Sequence, residues 1–365
     1  MRKRIGIVFG GRSGEHEVSV QSAESIRRAL DKEKYDVVLI GVDQRGVWRL
    51  ADSNRSLLES SNGSLPRVDA SATALLPVSQ SGQVVLRESD STRTMQRIDV
   101  FFPIIHGTYG EDGSLQGLLR LLDAPFVGAG VLGSAVGMDK DVMKRLLREA
   151  GIRVARFVCI RDHERDEVSY DVLASQLATP FFVKPCNLGS SVGIHRVTGP
   201  EQFEQALADA FQFDRKILVE ENVSGRELEC SVLGNDNPAA SVPGEIVVHA
   251  DFYSYEAKYI NETAAELRIP ADVGPEKARE VQETAVAAFR ALECRGMARV
   301  DFFLKKNGDL VVNELNTLPG FTRISMYPKL WEASGLSYPD LLDRLIELAI
   351  EDHEREAGLK RTYGN

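Results

Sequence analysis

The stretch that decides the fold is VNELNTLPGFTRISMYP, residues 312–328, because it places polar side chains at the end of an apolar strand. Glu314 and Asn316 alternate with apolar neighbours, and a Pro-Gly pair follows at once. Residues two apart on a strand point to the same face. An acid and an amide therefore share one face immediately before a tight turn, which indicates a binding site.

The preceding strand supplies a second acid. In MARVDFFLKKNGDLVVNELN, residues 297–316, the KKNGD turn predicts a hairpin that brings Asp301 near Glu314. Oxygen donors from these two acids and Asn316 would converge, and such a set favours Mg²⁺ or Mn²⁺. The alternative is a solvated hairpin with its polar residues facing water. The apolar VDFF and LVV segments argue against it, because buried carboxylates need a partner.

A second candidate site is FFVKPCNLGSSVG, residues 181–193. Lys184 ends an apolar strand, and the glycine- and serine-rich loop that follows, with Ser190 and Ser191, could turn its amides toward a phosphate. A flexible turn is the alternative reading of the loop by itself. The segment is neither a Walker loop nor a dinucleotide-binding fingerprint.

Composition limits the function classes. The 365 residues with 43% apolar content predict two or three domains. A net charge of −10 argues against a nucleic-acid backbone binder. The chain shows no long apolar run and no export signal, and its four cysteines are scattered, which favours free thiols in a reducing compartment. We therefore expect a cytoplasmic protein that binds neither nucleic acid nor membrane.

The first third of the chain alternates strands and helices, which is typical of a parallel sheet. We predict strands at residues 4–10, 35–43 and 97–107, with a helix over 19–30. Residues 52–96 are interpreted as an excursion of short strands or loops and not as a separate domain.

Seven motifs, in order, carry a resemblance to a known family. They are GGRSGEHEVSVQSA, HGTYGEDGSLQG, GMDK, VKPCNLGSSVG, FYSYEAKY, ARVDFF and NELNTLPGFTRISMYP. Together they resemble the D-alanine:D-alanine ligases of bacterial cell-wall synthesis over nearly the entire chain. The resemblance implies an α/β protein with the three-domain ATP-grasp architecture. The expected domains are an N-terminal parallel-sheet domain with the first D-alanine site, a central domain, and a C-terminal domain with the metal and acceptor sites, at residues 1–137, 138–224 and 225–365.

The activity implied by the resemblance is ATP-dependent joining of two D-alanines through a D-alanyl phosphate, with release of ADP and phosphate, for peptidoglycan precursors. Two Mg²⁺ or Mn²⁺ ions would be held by Asp301, Glu314 and Asn316. The resemblance also implies a homodimer.

The resemblance assigns further residues to three groups. Positions matching ATP contacts are Lys140, Lys184, Ser191, Glu220, Glu221, Val223, Glu227 and Lys258. Positions matching substrate contacts are Glu15, His106, Arg299, Gly320, Ser325 and Met326. Positions matching catalytic residues are Glu15, Ser190, Tyr259, Arg299 and Ser325. Arg299 would stabilise the oxyanion, and Ser190 with Tyr259 and Glu15 would tie a closing loop over the site.

Other interpretations stay open at the level of sequence. Glu15 could be a first-turn acid favoured by the helix dipole, His106 a hydrogen-bonded loop histidine, and Tyr259 a partly buried loop aromatic. The rival enzyme is a ligase with a D-lactate or D-serine acceptor, for which the loop FYSYEAKYINE is the discriminator. The rival of another class is a nucleotide-binding regulator without turnover.

Overall fold

The computed structural model describes residues 2–50, 66–91, 94–190, 192–248 and 265–360. Within these ranges, three β-sheets of seven, four and six strands are formed by successive parts of the chain. The architecture is the α/β fold expected from the sequence. The domain boundaries after residues 137 and 224 stay a prediction.

The first sheet is mixed rather than wholly parallel. Its strands are Lys3–Gly10 (β1), Tyr35–Val42 (β2), Trp48–Leu50 (β3), Thr73–Gln80 (β4), Gln83–Glu88 (β5), Thr94–Ile98 (β6) and Val100–Pro103 (β7). β1 lies parallel to β2 and β7, as predicted, whereas β2 through β6 pair antiparallel. The single strand predicted over 97–107 is instead β6 and β7, which lie at opposite edges of the sheet although only Asp99 separates them.

Four helices accompany this part of the described chain: His16–Ala29 (α1), Ser114–Leu121 (α2), Val131–Met138 (α3) and Lys140–Glu149 (α4). Asp139 is the N-cap of α4, because its side chain accepts a hydrogen bond from the Val142 amide at 3.0 Å. The cap fixes the start of the helix at Lys140, a predicted ATP contact.

The second sheet carries the predicted glycine-serine hairpin. Its strands are Phe157–Arg161 (β8), Phe181–Pro185 (β9), His195–Val197 (β10) and Lys216–Glu221 (β11), with the 3₁₀ helix Asp162–Glu167 and the helices Tyr170–Leu177 (α5) and Pro200–Ala210 (α6). β9 and β10 pair antiparallel, which confirms the hairpin. Phe181 and Val183 point into a core built from residues 158–219, so the side chain of Lys184 projects from the opposite face of the sheet.

The third sheet contains the stretch quoted first. Its strands are Gly225–Gly234 (β12), Ala239–Ala240 (β13), Gly244–Val248 (β14), Ala265–Arg268 (β15), Gly296–Lys305 (β16) and Leu310–Asn316 (β17). The remaining described helices are Pro275–Ala291 (α7), Met326–Ala333 (α8) and Tyr338–Ala357 (α9). β16 and β17 form the predicted hairpin, with Asp301 directly opposite Glu314. Because Phe302 is paired with Val312, Asn313 is an extra residue, a β-bulge just before Glu314.

The largest core joins the two ends of the described chain. Ile5 and Phe9 of β1 pack in one cluster with Ala23 of α1 and with Leu341 and Leu345 of α9. Leu341 and Leu345 are one helical turn apart, so they lie on one buried face of α9, and this face packs against the first sheet. The N-terminal sheet and the C-terminal helix therefore share a core.

Two general properties complete the description. All four cysteines are free thiols. Among the described helices, none combines the length and the apolar character that crossing a membrane requires.

Candidate active site

A cleft of about 480 Å³ is lined by the first sheet's loops, the glycine-serine hairpin and the third sheet. It brings together many of the predicted site residues: Glu15, His106, Ser190, Glu227, Arg299, Asp301, Glu314, Asn316, Gly320, Ser325 and Met326. The chain segments that carry them are far apart in sequence, so the fold assembles this cleft.

Asp301, Glu314 and Asn316 form the polar face predicted from the hairpin. Asp301 faces Glu314 across the two strands, and the Asn316 amide nitrogen donates to Asp301 Oδ2 at 3.0 Å. Rotation of the Asn316 amide by half a turn would bring its oxygen to the same place, where it could bind a metal ion. The set consists of hard oxygen donors, so it fits Mg²⁺ or Mn²⁺.

Arg299 is held between two carboxylates. Its Nε and Nη2 donate to the two oxygens of Asp301 at 2.7 Å each, and its Nε lies 2.9 Å from Glu229 Oε2. Burial acts to lower the pKa of Arg299, but Asp301 and Glu229 outweigh it and raise that pKa well above its usual value. Arg299 is thus a permanent cation in the cleft. Sequence reasoning missed Glu229, which lies on β12 directly opposite Asp301. The alternation of charged and apolar residues along β12 could have indicated it.

Lys184 belongs to a buried charge cluster. Its Nζ donates to Glu220 Oε1 at 2.8 Å, and the Nζ of Lys144 lies 2.8 Å from Glu220 Oε2. Burial acts to raise the pKa of Glu220, but the two ammonium groups lower it to about 2. Burial lowers the pKa of Lys144. Sequence reasoning missed Lys144, which lies four residues after Lys140.

Lys140, the first residue of α4, reaches the glycine-serine loop. Its Nζ donates to the Leu188 carbonyl at 2.5 Å and lies 3.9 Å from Glu314 Oε2. A cation here lies between the glycine-serine loop and the predicted metal ligands, where phosphate charge would need compensation.

Glu15 and Ser190 meet across two parts of the chain. The Ser190 hydroxyl donates to Glu15 Oε1, and the Glu15 amide is held by the Ser13 hydroxyl at 3.0 Å. Ser190 has φ 51°, the left-handed region that non-glycine residues rarely adopt. The hydrogen bond predicted from the resemblance is therefore present, and it holds the loop in an unusual backbone conformation. Its proposed partner Tyr259 lies outside the described residues, as do Ser191 and Lys258.

His106 is 4% exposed and uses both ring nitrogens. Nδ1 lies 3.1 Å from the Leu318 carbonyl and 3.5 Å from Glu111, while Nε2 lies 3.2 Å from the Ser22 hydroxyl. Burial acts to lower the pKa of His106, but its contact with Glu111 raises it. Burial raises the pKa of Glu111, a cleft residue that sequence reasoning missed. The buried pair supports the loop after β17.

Gly320, Ser325 and Met326 lie at the start of α8. The Ser325 hydroxyl accepts the Thr322 amide at 3.0 Å, and a Cβ on Gly320 would come within 2.7 Å of that hydroxyl. Ser325 precedes the helix, whose N-terminal amides favour an anion. This arrangement suits the carboxylate predicted to bind here.

Five predicted ATP contacts among the described residues do not line the cleft: Lys140, Lys184, Glu220, Glu221 and Val223. Glu221 is paired with Arg156 at 2.7 Å, and its neighbour Val223 lies in the short connection between β11 and β12. Glu227, on β12, does line the cleft. The structure therefore brings Glu227 to the cleft but leaves Glu221 in a salt bridge with Arg156.

Comparisons with known proteins agree with this geometry. The family models "D-ala D-ala ligase N-terminus" and "D-ala D-ala ligase C-terminus" match residues 4–129 and 146–347. A D-alanine–D-alanine ligase of Oceanobacillus iheyensis is 53% identical over 362 residues, which cover 99% of this chain and 98% of that protein.

Solved structures give the same result. The D-alanine-D-alanine ligase of Coxiella burnetii is 40% identical with a TM-score of 0.86, covering 98% of this chain and 96% of that one. The VanG D-Ala:D-Ser ligase of Enterococcus faecalis is 33% identical with a TM-score of 0.83, covering 96% of this chain and 100% of that one.

The fold and the cleft define an enzyme of the ATP-grasp class. The chain belongs to the D-alanine–D-alanine ligase family.

Proposed function

We propose that this chain joins two D-alanines to D-alanyl-D-alanine in an ATP-dependent reaction that supplies peptidoglycan precursors. The observation that supports this best is the cationic Arg299 held beside Asp301, with Glu314 and Asn316 on the same face of the hairpin. A protein that only sensed a nucleotide would not need an arginine for a developing oxyanion together with a complete set of metal ligands.

The reaction follows from the charges in the cleft. The carboxylate of the first D-alanine attacks the γ-phosphorus of ATP, which gives D-alanyl phosphate and ADP, and the amine of the second D-alanine then displaces phosphate. Glu15 would bind the first ammonium group, and the N-terminus of α8 the second carboxylate. Lys140, Lys184 and Arg299 would offset the charge of the phosphates and the oxyanion.

Asp301, Glu314 and Asn316 would hold two Mg²⁺ or Mn²⁺ ions, which supply charge neutralisation at the phosphates when bound. We also propose the three domains at residues 1–137, 138–224 and 225–365, a homodimer and a cytoplasmic location. Light scattering on the purified chain tests the homodimer.

The decisive experiment offers ATP and Mg²⁺ with D-alanine, D-serine and D-lactate, separately and in equal mixtures, and identifies products by mass. We expect ADP release that depends on D-alanine, with D-alanyl-D-alanine as the main product. D-serine is included because one structural relative is a D-Ala:D-Ser ligase. No ADP above the blank without D-alanine would overturn the proposal.

A further inference from the structure

Lys144 is a completely buried lysine to which the proposed function gives no role. It lies on α4 one turn after Lys140, so both side chains leave the same face of the helix. Its helix neighbours Met143 and Leu147 fill the adjoining core with apolar groups. Burying an ammonium group is costly unless its partners compensate for the lost hydration. Packing alone therefore does not explain a charge at this position.

The contacts of Lys144 tie two sheets together. Its Nζ lies 2.8 Å from Glu220 Oε2 on β11 and donates to the Asn313 carbonyl at 3.1 Å. Asn313 is the bulged residue of β17, and a bulge interrupts the regular backbone ladder at its extra residue. The ammonium group therefore satisfies a carbonyl immediately before Glu314.

The cluster of Lys144, Lys184 and Glu220 contains more positive than negative charges. Glu220 shares its carboxylate between Lys144 and Lys184, with one ammonium group 2.8 Å from each oxygen. Two ammonium groups and one carboxylate leave one net positive charge. Without Lys144, the carboxylate of Glu220 would neutralise Lys184, and the cluster would offer no excess charge to an anion.

We infer that Lys144 is a positioning residue for ATP. By sharing Glu220 it leaves the positive charge of Lys184 available to the phosphates, and by binding Asn313 it fixes the bulge that presents Glu314. The inference rests on the proposed function, in which Lys184 contacts ATP.

The test measures ATP binding by calorimetry and steady-state kinetics for the unmodified chain, Lys144→Met and Lys144→Gln. Both variants should weaken ATP binding at least about tenfold, because one partner of a buried charge pair is lost. The KM for D-alanine should stay within about twofold, since Lys144 lies among ATP contacts. Arg145→Met is the matched control. It removes a cation from the same helix that is paired with Asp141 and not with Glu220, and it should bind ATP like the unmodified chain.

A double-mutant cycle separates charge from packing. In a Glu220→Gln background no carboxylate is left to neutralise Lys184, so Lys144→Met should weaken ATP binding less there than in the unmodified chain. The comparison within one background cancels any contact that Glu220 itself makes with ATP. A side chain that acted only through packing would give the same loss in both backgrounds. If Lys144→Met does not fold, Lys144→Gln, which retains a donor for the Asn313 carbonyl, decides the question.

Three results would overturn the inference: unchanged ATP affinity in Lys144→Gln, an equal rise of the KM values for ATP and D-alanine, or an equal loss of ATP affinity from Lys144→Met in the unmodified and Glu220→Gln backgrounds. Absence of ATP binding by the unmodified chain would refute the proposed function and this inference with it. Normal binding in both the unmodified chain and Lys144→Gln would refute the inference alone.

Discussion

The guanidinium of Arg299 forms a bidentate salt bridge with Asp301, in which Nε and Nη2 each lie 2.7 Å from one carboxylate oxygen. Asp301 is also a proposed metal ligand, so the arginine and a metal ion use the same carboxylate. A metal ion on Asp301 would compete with Arg299 for this carboxylate, while Glu229 would still anchor the arginine.

We predict that Arg299→Gln lowers kcat about a hundredfold, because a fixed cation at the oxyanion is lost. The Mg²⁺ concentration for half-maximal rate should fall in the same variant, since the cation that competes for Asp301 is removed. Rates measured over a Mg²⁺ titration check both effects. Arg226 forms an equivalent bidentate salt bridge with Glu245 on the same sheet, and Arg226→Gln should leave the Mg²⁺ dependence unchanged. A higher Mg²⁺ requirement in Arg299→Gln would contradict competition.

Substitution of Glu314 should lower the ligase rate more than substitution of Asn316. If Glu314 bridges two ions, Glu314→Gln removes a shared charged ligand, whereas Asn316→Asp keeps an oxygen donor and adds charge. We expect the larger loss of kcat in Glu314→Gln. Ligase rates for the two variants at saturating Mg²⁺ check this, and equal losses would count against bridging.

Glu220 should make the free energy of unfolding depend on pH in the acid range. Its pKa is lowered to about 2, so its contribution is complete above the unfolded value of 4.5 and disappears as the pH falls toward 2. The shift corresponds to about 3 kcal/mol. The stability gap between the unmodified chain and Glu220→Gln should therefore narrow between these pH values, as measured by urea unfolding at several pH values. Glu221→Gln, which removes a peripheral partner of Arg156, is the control and should show only a small stability gap at neutral pH.

His106 should owe its raised pKa to Glu111. Burial alone would lower the pKa of His106, so Glu111→Gln should bring it down. A raised histidine pKa stabilises the fold below the unfolded pKa, and this contribution is lost as the pH rises through the folded pKa. The ring signals of His106, followed by NMR over a pH titration, check the direction. Glu17→Gln, at an acid paired with Arg67, should leave the titration unchanged.

The hydroxyl of Ser190 should hold its loop against Glu15. Ser190→Ala removes this hydrogen bond and keeps a side chain in the left-handed region, so we expect roughly a tenfold loss of kcat/KM for D-alanine. Ser190→Gly relieves the backbone but also lacks the hydroxyl, and a similar loss is expected. Full activity in Ser190→Gly would show that backbone strain, and not the hydrogen bond, matters. Ser175→Ala on the surface of α5 is the control.

The local part of the site could be predicted from sequence. The turn predicts the hairpin of β16 and β17, and the period of two puts Glu314 and Asn316 on one face. Both rules act over a few residues, whereas the bulge at Asn313, which brings Glu314 directly opposite Asp301, is not visible in the sequence. The hairpin after Lys184 is predicted in the same way.

The partners of these residues could not be predicted. Lys144 lies in a charged helix segment, KDVMKRLLRE, where a lysine usually faces water, and only the packing of β11 and β17 against α4 buries it. Glu111 and His106 meet through a tertiary contact. The short strands predicted within residues 52–96 are present among the described residues, as Thr73–Gln80 and Gln83–Glu88. Their antiparallel pairing into the first sheet was not predicted, because residues 73–98 alternate too weakly to show that they extend it.

The core shared by β1 and α9 has a consequence for the nascent protein. The second sheet builds its core from residues 158–219, so it can pack while the ribosome is still translating the rest. The N-terminal part of this core, with Ile5 and Phe9 of β1, is translated first, and Leu341 and Leu345 join it only when translation nears its end. A premature stop before Tyr338 would therefore leave α1 and β7 without the helix that packs against them, with apolar side chains open to aggregation or to capture by a chaperone.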